Sequence, residues 1–327
     1  MNSGRRSELL LTGATGFIGG AVMARLLADG KYGVRVSLRQ AGQSLPSAVE
    51  EVQVSDLAAG TDWREAVAGV EVVVHAAARV HVMREGFADA LAAYRRVNVE
   101  GTLNLARQAV AAGVRRFVFI SSVKVHGEQS GEGGSFTEED TPRPEEPYAV
   151  SKYEAEQGLK ALADETGMVV VIIRPVLVYG PGVKGNFRSM MRWLYRGVPL
   201  PLGAIHNRRS LVALDNLVDF IVTCVDHPAA ANQVFLVSDG EDLSTTDLLR
   251  RMAAALGVVA RLVPVPEWLL RFGATMVGQR ALARRLLGSL QVDIAKAQDL
   301  LGWTPPVGVE AALRSTARHF LESLHSS

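Results

Sequence analysis

The chain has a single cysteine, Cys224, among 327 residues, so it can form no internal disulfide and has no partner for a structural zinc site. Long apolar runs are also missing. The longest, 168–173, stops at Arg174 and Pro175, far short of the ~20 residues that cross a bilayer. Basic residues precede a second run, 9–11, but three residues cannot form the core of a secretory signal. Neither sign of charge dominates: 35 Lys and Arg against 34 Asp and Glu leave a net +1. Nothing global therefore draws the chain to nucleic acid or anionic lipid. There is no repeat of solenoid length, no low-complexity tract and no collagen-like glycine period. What remains, at 48% hydrophobic and 21% charged, is a soluble globular protein, expected in the cytoplasm, with no resident metal. Its length suits one large core with a smaller partner.

Short apolar runs alternate with helical patterns through the first half. Strands are expected at 9–12, 34–38, around Val52 and Val54, and at 70–77, 115–122 and 168–175; helices are expected at 17–29, 91–112 and 148–166. The runs are apolar throughout rather than alternating, as in a parallel sheet covered on both faces. This predicts an α/β fold, a doubly wound parallel sheet of the Rossmann type. Beyond Pro175 the chain turns to Gly/Pro-rich loops. One more strand is expected at 233–238, with helices near 244–256, 266–273, 279–290, 293–301 and 309–324. The segment 127–147 carries seven acids against Arg143 alone and reads as a solvated loop or a mobile lid.

Between the first strand and its helix, Thr12-Gly13-Ala14-Thr15-Gly16-Phe17-Ile18-Gly19 spaces its glycines G-x-x-G-x-x-G. Glycines there allow a tight turn and let backbone amides and the helix N-terminus approach a pyrophosphate. Gly13, Thr15, Gly16, Phe17, Ile18 and Gly19 are the candidate cradle. An acid usually closes the second strand to hold the adenosine ribose, but Arg39 stands there. A guanidinium can clamp a 2′-phosphate, which favours NADP over NAD; an exposed arginine beside an unselective pocket is the plainer alternative. Asp56 and Leu57 would flank the adenine, and Ala76, Ala77 and Ala78 leave room for the cofactor. On this reading residues 1–175 with about 211–240 form the dinucleotide-binding domain. About 176–210 and 241–327 form a smaller, mostly helical substrate lobe.

Tyr148 and Lys152 open a helix after Pro147 at an i, i+4 spacing that stacks phenol and ammonium on one face. A neighbouring ammonium and a cationic nicotinamide would bring the phenolate into a working range. The preceding strand ends in Ser121 and Ser122, and Ser122 is the candidate to hold the reacting hydroxyl, with Ser121 as runner-up. Lys124 and His126 face either substrate or solvent. His75 is expected to tuck into the sheet end, and Asn98 either supports the active-site backbone or packs on its helix.

Taken together, TGATGFIGG, HAAA, the serine strand end, YAVSK, RPVLVYGPG, LDNLVDF and KAQDLLGWTPP resemble the extended short-chain dehydrogenase/reductase superfamily along essentially the whole chain. Within it the sequence is similar to enzymes acting at C4 of nucleotide sugars: UDP-hexose 4-epimerases and the 4-keto reductases of bacterial polysaccharide pathways. The resemblance implies Tyr148 as acid/base, Lys152 as ribose and pKa partner, and Ser122 on the substrate hydroxyl. It also implies Pro175 and Val178 against the nicotinamide, Asn186 at the diphosphate or sugar, and Arg208 or Arg209 on a nucleotide phosphate. Two departures matter. Lys124 stands where dehydratases carry a glutamate, which argues against dehydration, and Arg39 argues against a permanently bound NAD. The expectation is reduction of a UDP-4-keto-6-deoxy-N-acetylhexosamine; 4-epimerisation of a UDP-hexose by the same residues is the alternative. A non-catalytic regulator is disfavoured by the intact Ser122, Tyr148 and Lys152. A homodimer stays open.

Finally, 266–290 interleaves Trp268, Leu269, Leu270, Phe272, Met276, Val277, Leu282, Leu286, Leu287 and Leu290 with Arg271, Arg280, Arg284 and Arg285. Such a segment can lie on an anionic membrane. Gly273 and Gly278 interrupt it, so two short helices packed over the substrate lobe are expected instead, with the protein staying free of liposomes.

Overall fold

The computed structural model describes residues 7–40, 42, 45–80, 87–131, 134–276 and 278–325. Ten strands appear in chain order: β1 Ser7–Thr12, β2 Tyr32–Leu38, β3 Val49–Gln53, β4 Val72–His75, β5 Arg116–Ile120, β6 Val169–Pro175, β7 Leu177–Tyr179, β8 Arg209–Ala213, β9 Val234–Val237 and β10 Asp242–Leu243. Seven of them form one parallel sheet in the order β3-β2-β1-β4-β5-β6-β9. The central strands are buried on both faces, from Leu9–Leu11 through Val73, Phe117 and Ile173 to Phe235. That explains their unbroken apolar runs. Edge strand β3 instead exposes Glu50 and Glu51, charges that discourage pairing with another chain.

The helices of the first half are α1 Phe17–Asp29, α2 Arg64–Val67, α3 Phe87–Tyr94, α4 Thr102–Ala111 and α5 Pro147–Thr166. The single helix expected at 91–112 is two, joined by a π-helical stretch over Arg95–Gly101 that contains Asn98. Pro147 occupies the first turn of α5, where its missing N–H costs no bond. The sheet order reverses between β1 and β4, so a crevice opens at their carboxyl ends, where doubly wound sheets bind ligands.

The second half adds α6 Gly185–Tyr195, α7 Leu214–Asp226, α8 Thr245–Leu256, α9 Glu267–Met276, α10 Arg280–Leu287, α11 Ala295–Leu301 and α12 Val309–His325. A separate core gathers Phe187, Met191 and Leu194 of α6 with Leu249 of α8 and Leu313 and Phe320 of α12. A small sheet, β10-β8-β7, lies between this core and the large sheet. Its strands β7 and β8 were not anticipated, because three to five residues among turns carry little periodic signal.

The acidic segment 127–147 exposes Glu139, Asp140 and Glu145 as a solvated loop does, but its described residues are anchored rather than free as a lid. Phe136 N donates to Gln291 O (2.8 Å), Asp293 N to Phe136 O (2.8 Å) and Ser130 N to Ser289 O (3.1 Å). Glu138 turns inward and accepts from Leu236 N of β9 at 2.7 Å. Burial there raises its carboxyl above the usual range.

Candidate active site

At the switch point the glycines do what their spacing requires. Gly13 sits at φ +74°, and a Cβ on it would meet Ala77 N at 2.7 Å and Ala76 C at 2.9 Å. A Cβ on Gly19 would fall 2.1 Å from Gly13 O, so α1 packs directly on the turn. The helix begins at Phe17 with no side-chain cap and no acid in its first turn, leaving its N–H groups and positive dipole end to an anion. Ala76, Ala77 and Ala78 are half-buried on the facing strand end. This close-packed cradle fits a dinucleotide and would reject a side chain at Gly13 or Gly19.

Thr12 Oγ1 accepts from Ala77 N (3.2 Å) and lies 2.7 Å from His75 Nδ1; Thr102 Oγ1 lies 2.9 Å from His75 Nε2. Burial, with the Lys152 charge second, lowers the His75 pKa to about 3. A neutral His75 thus braces the strand end from within. Asp56 accepts from Thr61 Oγ1 at 3.0 Å on the exposed turn after β3, with Leu57 half-buried beside it. Arg39, directly after β2, is exposed and makes no bond among the described residues.

Asn98 is buried and accounts for the π-helical stretch. Its Oδ1 accepts from Arg79 N (2.8 Å), and its Nδ2 donates to Arg79 O (3.0 Å) and Ser151 Oγ (3.0 Å). Ser151 in turn donates to Tyr148 O at 2.7 Å. One amide thereby ties the chain after β4 to the first turn of α5. Local π-helical turns of this kind recur at functional sites.

Tyr148 stands edge-on to Tyr94, ring centroids 5.8 Å apart. Lys152 is buried, its Nζ 4.2 Å from the Phe119 ring centroid. Burial pushes both toward their neutral forms: the phenol well above its usual range, helped by Tyr94, and the ammonium down to about 7 against the opposing pull of Glu156. Ser122, half-buried and extended, opens a short turn and accepts from Lys124 N at 3.3 Å. Ser121 points the other way and donates to Glu156 Oε1 at 2.5 Å.

Behind the serines lies an ion pair unforeseen from sequence. Arg174 of β6 holds Glu156 at 2.5 Å with both side chains almost fully excluded from water. Glu156 follows Tyr148 and Lys152 by further steps of four on α5, a periodicity that could have marked it. Arg174 also donates to His126 Nε2 at 2.8 Å, and His126 stacks on Phe136 at 5.1 Å. Burial, then the Arg174 charge, lowers the His126 pKa to about 4. The expectation that His126 faces substrate is therefore corrected: its ring buttresses Arg174.

On the substrate side, Lys124 Nζ lies 2.5 Å from Glu146 Oε2 and 3.1 Å from Glu128 Oε1, and Arg285 of α10 bonds Glu146 at 2.8 Å. Asn186 is exposed in the first turn of α6, and the Arg208 side chain is exposed nearby in sequence to β8. Arg209 is corrected as a phosphate ligand, since its guanidinium donates to Arg285 O (2.9 Å) and Gly288 O (3.1 Å) and so closes the C-terminus of α10. Pro175 is buried at the end of β6, two strands from β4, and Val178 is half-buried in β7 of the small sheet. The described residues hold no cluster of His, Cys, Asp or Glu suited to a metal ion.

A doubly wound sheet with a glycine turn at its switch point and a Tyr–Lys pair on the following long helix defines a nicotinamide-dependent short-chain dehydrogenase/reductase-type enzyme. Residues 9–238 match the NAD dependent epimerase/dehydratase family, and the chain belongs to it. A UDP-glucose 4-epimerase of Vibrio cholerae is 48% identical over 97% of this chain and 96% of its own length. A 3-beta-hydroxysteroid dehydrogenase of Mycolicibacterium neoaurum is 30% identical over 96% of this chain and 92% of its own. Among solved structures, MoeE5 in complex with UDP-glucose and NAD superposes with a TM-score of 0.76 at 26% identity, covering 97% of this chain and all of that one. The 48% identity to a UDP-glucose 4-epimerase favours epimerisation over the reduction of a UDP-4-keto sugar expected from sequence, for which these relatives offer no support.

Proposed function

We propose that this protein is a UDP-hexose 4-epimerase that inverts the C4 hydroxyl of a nucleotide sugar in the cytoplasm, with NAD as its cofactor. The observation that carries the reading is the 48% identity to a UDP-glucose 4-epimerase along almost the whole of both chains. Bound in the glycine cradle, NAD would supply reversible hydride transfer at C4 and a positive charge beside Tyr148.

The rest falls to the chain. Gly13, Thr15, Gly16, Phe17, Ile18 and Gly19 hold the pyrophosphate, Asp56 and Leu57 the adenine edge, and Ala76–Ala78 the flat approach between them. Pro175 and Val178 line the nicotinamide. The Tyr148 oxygen takes the C4 hydroxyl proton and gives it back, and Lys152, one helical turn further along α5, supplies the positive charge that favours its phenolate. Ser122 holds that hydroxyl. Asn98 keeps the first turn of α5 in place. Asn186 and Arg208 meet the sugar and diphosphate from the lobe formed by about 176–210 and 241–327, and Lys124 meets them from the cofactor domain of 1–175 and about 211–240. Arg39 alone speaks for NADP.

The test is purified protein with UDP-glucose and no added reductant, followed by chromatographic separation of UDP-glucose and UDP-galactose, with mass spectrometry of any cofactor released on denaturation. Interconversion with NAD recovered from the protein is the expected result. Oxidation of added NADPH by a UDP-4-keto sugar, without interconversion, would replace this reading with reduction.

A further inference from the structure

Helix α9 wears its apolar side outward. Trp268, Leu269, Phe272 and Met276 fall within an arc of about 100° on a helix advancing 100° per residue. They are exposed by 69, 44, 61 and 72%. The opposite side, through Leu270, packs on the core of the substrate lobe. The sequence expectation of a helix burying its apolar face is thus overturned, although α10 does bury Leu287. Val277 and the side chains of Arg280 and Leu282 lie outside the described residues.

The charge around this face is one-sided. Between residues 166 and 214 the chain contains no Asp or Glu, while Lys184, Arg188, Arg192 and Arg196 line α6 and its N-terminus. Between 257 and 290, Glu267 is the lone acid, and it is bonded to Arg271 at 2.6 Å. The two segments touch: Leu200 N donates to Arg261 O (2.9 Å), and Val263 N to Leu200 O (2.8 Å). Arg192, Arg196 and Arg261 are exposed and make no ion pair among the described residues. A chain of net +1 has concentrated unpaired cations beside an apolar helix face that, among the described residues, is strongly exposed.

We infer that α9 and the α6–α9 seam dock on an anionic phospholipid surface, with Trp268, Leu269, Phe272 and Met276 in the interface and Arg192, Arg196 and Arg261 against the headgroups. A helix with aromatic and aliphatic residues on one side and cations flanking it binds in the interfacial plane and does not span. No helix among the described residues is long and apolar enough to cross a membrane. A second copy of the chain fits less well, because two-fold self-pairing would set the free arginines against themselves. The docked face adjoins the substrate side of the site, since α10 packs on α9 and its Arg285 holds Glu146, the residue preceding α5. The inference needs no assumption about the sugar.

The test uses the full chain with phosphatidylcholine vesicles, with and without phosphatidylglycerol. We expect sedimentation with the phosphatidylglycerol vesicles that weakens as salt rises, and a blue shift of tryptophan emission on binding. Trp63 and Trp303 are already buried, so the shift reports Trp268 and Trp193. The pair Trp268→Ser and Phe272→Ser should lower binding by at least ~10-fold, and Arg192→Gln with Arg196→Gln by several-fold. Both variants should keep the wild-type circular dichroism spectrum and soluble turnover. Equal binding to neutral vesicles, binding unchanged in the Trp268/Phe272 variant, or none at low salt would overturn the proposal. So would a lipid-free wild-type dimer that the same variant dissociates, because a second copy would then cover the face.

Discussion

The two sides of the active site are built from different materials. The cofactor side is backbone: Gly13 and Gly19 leave no room for a Cβ, and Ala76 and Ala77 close against Gly13. The substrate side is a chain of long charged side chains, Lys124, Glu146 and Arg285, drawn from three separate stretches. A glycine turn is dictated by neighbours a few residues away, so it is written in local spacing. A salt-bridged rim exists only once residues 124, 146 and 285 have been brought together, and no spacing announces it. The cofactor side should therefore respond to substitution steeply and the rim weakly.

The largest effect belongs to the residue between the two sides. Tyr148→Phe should lower turnover by roughly 10²–10⁴-fold, because the proposed proton transfer at C4 runs through the phenolic oxygen that this change removes. Cofactor content, read by absorbance and mass spectrometry of the purified variant, should stay near wild type. A variant keeping more than half of the wild-type turnover would remove Tyr148 from the chemistry and dissolve the comparison.

Next is the backbone itself. Gly13→Ala adds a Cβ 2.7 Å from Ala77 N at a φ of +74°. Left-handed backbone costs a non-glycine residue about 1–3 kcal/mol before any clash. We expect protein isolated with little bound cofactor and a lower denaturation midpoint. A Gly13→Ala protein with normal cofactor content would show that the cradle is looser than its contacts indicate.

A third effect is electrostatic and lies on the cofactor side. Burial holds Lys152 at about 7, whereas the unfolded chain keeps its lysine protonated to about 10.4. Between those values the unfolded state binds the extra proton, so this residue makes stability rise with pH, by at most about 1.4 kcal/mol per unit. Below the lower value both states are protonated and the slope vanishes. Urea midpoints of the cofactor-stripped protein between neutral and alkaline pH should show this rise, and Lys152→Met should flatten it. An unchanged slope in the variant would mean that Lys152 is hydrated in solution.

What could be read from sequence follows the same division. The doubly wound sheet is legible in unbroken apolar runs, and the switch-point turn and the Tyr148–Lys152 face in spacings of three and four residues; the structure places them accordingly. The break in the helix through Asn98 could not be read, because a π-helical turn is selected by what Asn98 reaches, Arg79 and Ser151, not by its own sequence. His126 and Arg209 were misassigned for a related reason. Each looks like a free polar side chain in sequence, but in the fold Arg174 holds the one and the carbonyls ending α10 hold the other. The Arg174–Glu156 pair escaped notice because a buried charge in a strand is unusual and needs its partner in view. Helix α9 misled in the other direction, since an apolar stripe predicts burial only where a surface exists to bury it.

The smallest effect should come from the rim. Arg285 is about half exposed and shares Glu146 with Lys124, so removing its charge leaves the carboxylate still paired. Exposed pairs of this kind contribute about 0–1 kcal/mol, and the pairing keeps the Glu146 carboxyl below its usual range despite burial. Arg285→Gln should therefore leave the thermal midpoint within a degree or two and kcat unchanged. Its visible consequence should be in KM, by about two- to fivefold, as Lys124 is drawn more firmly to Glu146 and away from the sugar. Added salt should shrink that difference, because a partly exposed rim is screened where the cofactor cradle is not. A tenfold or larger fall in kcat would place Arg285 among the groups that act on the reacting atoms. The rim would then be as demanding as the backbone side, and the division between the two halves of the site would fail at its weakest point.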